Sequence, residues 1–159
     1  RKIKICHFGF LPGFDISIWV DANIVVNCNL DLFLQKYHRV DKDFTIMKHP
    51  HRNCVYEEAE ECIRRKKGFR DVIIRQIEKY RKEGFPPNQG LVASGVIVRP
   101  FNEKVNYFMK HWWEQVEKYS KRDQISFNYV LWEIPLSINL IPFQILKNEF
   151  ILTKHERIK

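Results

Sequence analysis

The sequence predicts an α/β fold, a mixed sheet flanked by helices in one domain spanning residues 1–159. Three observations carry that expectation. Extended segments interleave with helical ones along the whole chain. The segment Ile16-Ser17-Ile18-Trp19-Val20 is rich in β-branched and aromatic residues and alternates as a strand does. Val105, Phe108, Met109, Trp112, Val116 and Tyr119 recur at helical spacing. No internal repeat or linker divides the chain, and the 159 residues suffice for one hydrophobic core.

Taken in order, the first strand ends at Asp21, Ala22-Asn23 turns the chain, and Ile24–Val26 is a short second extended piece. Asn29 or Asp31 caps a helix over Leu30–Tyr37, with Leu30, Phe33, Leu34 and Tyr37 on one stripe. Phe44–Met47 reads as a strand stopped by Lys48-His49-Pro50-His51-Arg52. Helices follow over about Val55–Lys67 and Arg70–Glu83, the second closed by Gly84 and Pro86-Pro87. Val92–Val98 supplies a strand that Ser94-Gly95 interrupts. Asn102 caps the long helix Glu103–Tyr119, and Asp123 opens another that Pro135 halts near Glu133. Asn139–Leu146 and Phe150–Thr153 read as short extended pieces before the charged end.

Charge narrows the class of partner. Lys and Arg number 27 against 19 Asp and Glu, a net charge of +8 that favours anionic partners without choosing among them. Four cysteines without a CxxC pair read as free thiols in a reducing compartment. With no Asn-x-Ser/Thr acceptor, that reading favours a cytoplasmic location, or the Golgi lumen if the chain is a piece of a longer eukaryotic protein. No apolar run reaches the ~18 residues of a membrane span.

The chemistry-bearing residues cluster at segment ends. Trp19-Val20-Asp21-Ala22-Asn23 delivers a carboxylate and an amide oxygen to the carboxyl end of a strand, where α/β folds bind ligands. Such hard oxygens suit Mg²⁺ or Mn²⁺, which keep other positions for water and phosphate; alternatively the two residues only shape a turn. His49, His51 and Arg52 lie at a strand-to-helix junction able to hold an anion. Cys54 nearby raises a zinc alternative that no second ligand pair completes. Ser94-Gly95 inside an apolar strand marks either a plain bulge or a close approach to a ligand. Asp123, at a helix start, is expected to stay ionised, as a base, nucleophile or hydroxyl-positioning group, or else as a cap with Arg122 in solvent. The basic run Arg64–Lys82 could track nucleic-acid phosphates, but Asp71, Glu78 and Glu83 interrupt it, and a solvated helix face is the simpler reading. Trp112-Trp113 reads as core plus groove wall, with a ring able to stack on a sugar.

In order, Arg1-Lys2-Ile3-Lys4 with Ile16–Asn23, His49-Pro50-His51-Arg52-Asn53-Cys54-Val55-Tyr56-Glu57-Glu58-Ala59, Tyr80–Gly84, Gly90-Leu91, Trp112-Trp113 and Ser120–Phe127 resemble the glycosyltransferase-like domain family of the plant mucilage and turgor-regulation proteins. The resemblance implies a GT-A-like fold lacking part of the nucleotide-binding half, because only about twenty residues precede Asp21. It implies a metal-dependent transfer of a sugar from a nucleotide-sugar donor to a glycan or lipid-linked acceptor, with Mn²⁺ or Mg²⁺ as cofactor. Asp21, Asn23 and, near the end, His155 would face the metal. Lys4, His49, Arg52, Ser94 and Gly95 would lie on the donor side, with Arg1 beside Lys4, and Asp123-Gln124 would sit at the reacting centre. Asn23 in place of a second Asp lowers the negative charge of the metal turn. A hydrolytic role has also been suggested within this family. The rival readings are a basic nucleic-acid-binding module, which the resemblance disfavours, and a non-catalytic remnant of the transferase fold.

Overall fold

The structure, a computed structural model, describes residues 1–11 and 13–153. The order of elements is α1 (Lys2–Ile5), a 3₁₀ turn (His7–Gly9), β1 (Ile16–Val20), β2 (Ile24–Val26), α2 (Leu30–Tyr37), β3 (Phe44–Lys48), α3 (Val55–Arg64) and α4 (Arg70–Lys82). Then come β4 (Val92–Pro100), α5 (Glu103–Lys118), α6 (Asp123–Glu133), β5 (Ile138–Ile141), a second 3₁₀ turn (Phe143–Lys147) and β6 (Phe150–Leu152). The main sheet runs β1-β4-β3-β5; the first two pairings are antiparallel and β3–β5 is parallel. β2 and β6 form a separate antiparallel ribbon. This is the mixed α/β architecture expected from the interleaved pattern.

Two apolar clusters line the sheet. One gathers Phe44, Ile46 and Ile97 with Ile5, Tyr80, Phe108, Trp112 and Phe127 from α1 and α3–α6. The other gathers Met47, Val96 and Val98 with Phe33, Ile145 and Phe150 from α2, the second 3₁₀ turn and the ribbon. Alternation along β3 and β4 sends neighbouring side chains into opposite clusters.

Caps set four of the helix boundaries. The Asn29 carboxamide oxygen accepts from the Asp31 and Leu32 amides, and that of Asn102 from the Val105 amide. α4 ends in a Schellman turn: Gly84 lies at φ 83, its amide donates to Arg81, and the Phe85 amide donates to Tyr80. α3 ends three residues before the expected Lys67, in the same motif. Here Lys66 takes the left-handed position at φ 54, and the Lys66 and Lys67 amides donate to Ile63 and Cys62. The tail also departs from expectation. Pro142 ends β5, and Phe143–Lys147 winds into a 3₁₀ turn where extended chain was read.

The irregularity that builds the site is in β4. Ile46 pairs with Ile97 and Met47 with Ala93, so Ser94, Gly95 and Val96 bulge away from β3. They remain attached on the β1 side, where Val20 pairs with Val96 and the Asp21 amide donates to the Gly95 carbonyl at 2.8 Å.

Candidate functional site

The β4 bulge, the end of β1, α1 and the start of α6 enclose a cleft of about 300 Å³. Asp21, Asn23, Ser94, Gly95, Asp123, Gln124, Lys4 and Arg1 all line it, together with Arg122. Of the alternatives weighed for Ser94-Gly95 the bulge is what the structure shows, and the bulge forms a wall of the cleft. A Cβ on Gly95 would stand 2.9 Å from Ile24 Cδ1 and 3.2 Å from Met47 Cε, two residues that also line the cleft, so a side chain here would crowd it.

Lys4 organises the centre. It is 3% exposed, and its ammonium lies 2.9 Å from Asp123 Oδ2 and 3.2 Å from Asp21 Oδ1. Its third contact is the Ser94 hydroxyl, at 3.0 Å. Three donors thus meet three acceptors around one buried cation. Asp123 Oδ2 also accepts from Ser94 Oγ at 3.1 Å and faces Arg1 Nη1 at 3.4 Å, while Oδ1 accepts from the Gln124 amide at 3.1 Å. Burial alone would raise the Asp123 pKa. The charge and hydrogen bond of Lys4, with Arg1 and Ser94, outweigh it and hold the carboxyl below the usual aspartate range.

Other side chains hold these groups in place. The Trp19 indole donates to Asp21 Oδ1 at 2.7 Å, since residues two apart on a strand share a face. The Trp112 indole donates to the Asp123 carbonyl at 3.0 Å and the Ser126 hydroxyl at 3.1 Å, fixing the first turn of α6. Buried Gln76 accepts the Ser120 amide at 3.2 Å, and Gln124 Nε2 donates to the Val92 carbonyl at 3.2 Å. The expectation that Trp112 is core therefore holds, and the core residue braces the site.

Two expected donor-side residues lie elsewhere. His49 and Arg52 do not line the cleft. His49 Nδ1 accepts the Arg52 amide at 3.0 Å and so shapes the turn before α3; burial lowers its pKa, favouring the neutral ring this requires. Arg52 donates to buried Glu58 through Nε at 2.8 Å and Nη2 at 2.7 Å. Glu58, which the sequence allows either to orient Arg52 or to stabilise the helix dipole, takes up this cation. His155 lies outside the described residues. Arg122 was missed: it lines the cleft, its Nε is buried without a partner among the described residues, and its Nη2 reaches Gln124 Oε1 only at 3.4 Å.

As for a divalent cation, the donors are Asp21 and Asn23, both hard oxygens on one wall. Asp21 Oδ1 is already shared by Lys4 and Trp19, while Asp21 Oδ2 points toward the Gly95 bulge. This set fits an oxygen-seeking ion that takes its remaining ligands from water or phosphate. Among the described residues, no three His, Cys, Asp or Glu side chains gather as an all-protein metal cage.

The model of the TOD1/MUCI70 glycosyltransferase-like domain matches residues 3–155. A probable hexosyltransferase, MUCI70 of Arabidopsis thaliana, is 25% identical over 97% of this chain and 29% of its own length. The alkaline ceramidase TOD1 of the same plant is 27% identical over 91% of this chain and 33% of its own length. The chain thus spans about a third of the length of these curated relatives. No solved structure matches it.

Proposed function

The chain belongs to the TOD1/MUCI70 glycosyltransferase-like domain family, and from that premise we propose that it transfers a hexosyl group from a nucleotide-sugar donor, in a GT-A-like manner, using a divalent cation. The observation that carries the reading is the convergence of Asp21, Asn23, Ser94, Gly95 and Asp123 on one cleft around Lys4.

The chain's own residues divide the work. Arg1 and Arg122 present positive charge to a diphosphate. Gly95, lacking a side chain, lets the sugar approach the β4 backbone, and Ser94 places a hydroxyl there. Asp21 and Asn23 would hold Mn²⁺ or Mg²⁺, which supplies Lewis-acid neutralisation of the departing diphosphate. Asp123 is held ionised by Lys4 and Arg1, which makes it a poor proton acceptor. Its role in this reading is to stabilise positive charge developing at the anomeric carbon.

The test is calorimetric titration of the full protein with UDP- and GDP-sugars, with and without Mn²⁺, alongside an assay of nucleoside diphosphate release. We expect Mn²⁺ to tighten one donor at least tenfold, Asp21→Ala to abolish that gain, and Asp123→Asn to keep donor binding but lose turnover. Absence of donor binding and turnover under all conditions overturns the proposal. The similarity to a ceramidase favours a second reading, amide-lipid hydrolysis. Release of fatty acid from ceramide by the same preparation, with no nucleotide release, selects it.

A further inference from the structure

A second cavity, of about 550 Å³, opens between the turn joining α3 to α4 and the turn joining α5 to α6. It shares Arg1 and Arg122 with the cleft, so the two spaces meet at those guanidinium groups. Phe69, Val72 and Tyr119 give it an apolar floor, and Lys67, Lys121 and Arg122 stand at its edge. No carboxylate lines it among the described residues. Phe69 is 83% exposed and flanked in sequence by Lys66, Lys67 and Arg70. The left-handed turn at Lys66 follows the end of α3 and leads into Lys67 and Gly68, both of which line the cavity. Arg122 adds a buried Nε with no partner among the described residues.

We propose that this groove seats the acceptor and that the acceptor is a lipid phosphate, its apolar tail on Phe69, Val72 and Tyr119 and its phosphate against Lys121 and Arg122. An apolar floor alone would take many occupants. A rim of cations without an acid selects one that is anionic at the end nearest the cleft. The acceptor role rests on the transferase reading; binding in the groove does not. In the transfer, an oxygen of the phosphate monoester dianion bonds to the anomeric carbon. The bond from that carbon to the nucleoside diphosphate breaks, and the diphosphate leaves with the electron pair. The dianion has no proton to give up, so the step needs no base, in keeping with an Asp123 whose oxygens are engaged by Lys4, Ser94 and the Gln124 amide.

The experiment titrates the full protein, without donor, with decyl phosphate below its micellar concentration, with inorganic phosphate and with decanol. We expect decyl phosphate to bind at least tenfold more tightly than either. Phe69→Ser, at an exposed position, and Lys121→Ser should each weaken it five- to tenfold. Equal affinity for decyl phosphate and inorganic phosphate overturns the proposal, as does indifference to Phe69→Ser. An oligoribonucleotide that displaces decyl phosphate and binds Phe69→Ser unchanged also overturns it and assigns the basic rim to nucleic acid. A parallel titration with UDP separates the two ideas: its failure removes the transferase reading and leaves the groove result standing.

Discussion

Replacing Lys4 by Met tests the arrangement on which the cleft depends. Met preserves the volume of the stem and removes only the ammonium. The change strands Asp123, which is 3% exposed, with Ser94 and a 3.4 Å contact to Arg1 as its remaining side-chain partners. Removing one member of a buried pair costs about 3–5 kcal/mol. For a domain of this size that lowers Tm by about 6–20 °C. The pH dependence gives a second signature. Asp123 has a lowered folded-state pKa, so its stabilisation is present above the unfolded aspartate value of about 3.9 and is lost as pH falls through the folded value. In Lys4→Met, burial raises that pKa instead and the carboxyl protonates earlier on acidification. The gap between parent and variant should therefore be full at pH 7 and shrink toward pH 4. Urea unfolding followed by tryptophan fluorescence measures both points. Lys4→Met/Asp123→Asn, which removes the stranded charge, should recover more than half of the loss. A deficit under about 1 kcal/mol at pH 7, or one equal at both pH values, refutes the role given to Lys4.

Gly95→Ala pushes a methyl group to within 2.9 Å of Ile24 Cδ1, the end of a side chain that can shift. It should cost about 1–2 kcal/mol and weaken donor binding at least tenfold with the far-ultraviolet spectrum unchanged, as calorimetry and circular dichroism will show. Burial and the nearby Arg99 charge lower the His7 pKa to about 4. Folding therefore keeps His7 neutral, and stability should fall as pH drops from about 6.5 toward 4, by at most about 3 kcal/mol; His7→Phe should flatten that limb in urea titrations. Metal removal by a chelator should leave weak, salt-sensitive UDP binding carried by the cleft arginines, and Arg122→Ser should abolish it in the same titration.

Local chemistry made much of the fold readable. The Asn29 and Asn102 caps, the apolar stripe of α5 and the Gly84 stop are encoded within a few residues of where they act. The end of α3 was less legible because Lys66, a residue with a Cβ, adopts the conformation usually left to glycine. The sheet order was not legible at all. It depends on β4 lying between β1 and β3 from far along the chain, and on a bulge that no single segment reveals. For the site, the turn at Asp21 and the small pair at Ser94-Gly95 are visible as residue types at strand positions. Their meeting with Lys4 and Asp123 came from resemblance rather than spacing. His49 and Arg52 misled because a basic strand-to-helix junction looks the same whether it faces a ligand or a buried glutamate. Glu58, six residues after Arg52, was the signal: of its two readings, a partner that orients Arg52 or a stabiliser of the helix dipole, the first is the one the structure shows.

The charge arrangement explains why these residues are brought together. Asp21 and Asp123 sit at the ends of separate elements and both contact a single ammonium, so each is within reach of the other's field. Without Lys4, burial would drive the Asp123 carboxyl toward its protonated form. With Lys4 beside it, Asp123 is held below the usual aspartate range, while Ser94 and the indoles of Trp19 and Trp112 fix the orientation of the two residues. Arg1 and Arg122 then make three cations against two carboxylates, a cleft with a net charge of +1. On the proposed transferase reading, that surplus would match a diphosphate and lessen the charge a divalent ion would have to supply. Asn23 in the place of a second aspartate is understandable on that ground, since Arg1 and Arg122 would share the neutralisation.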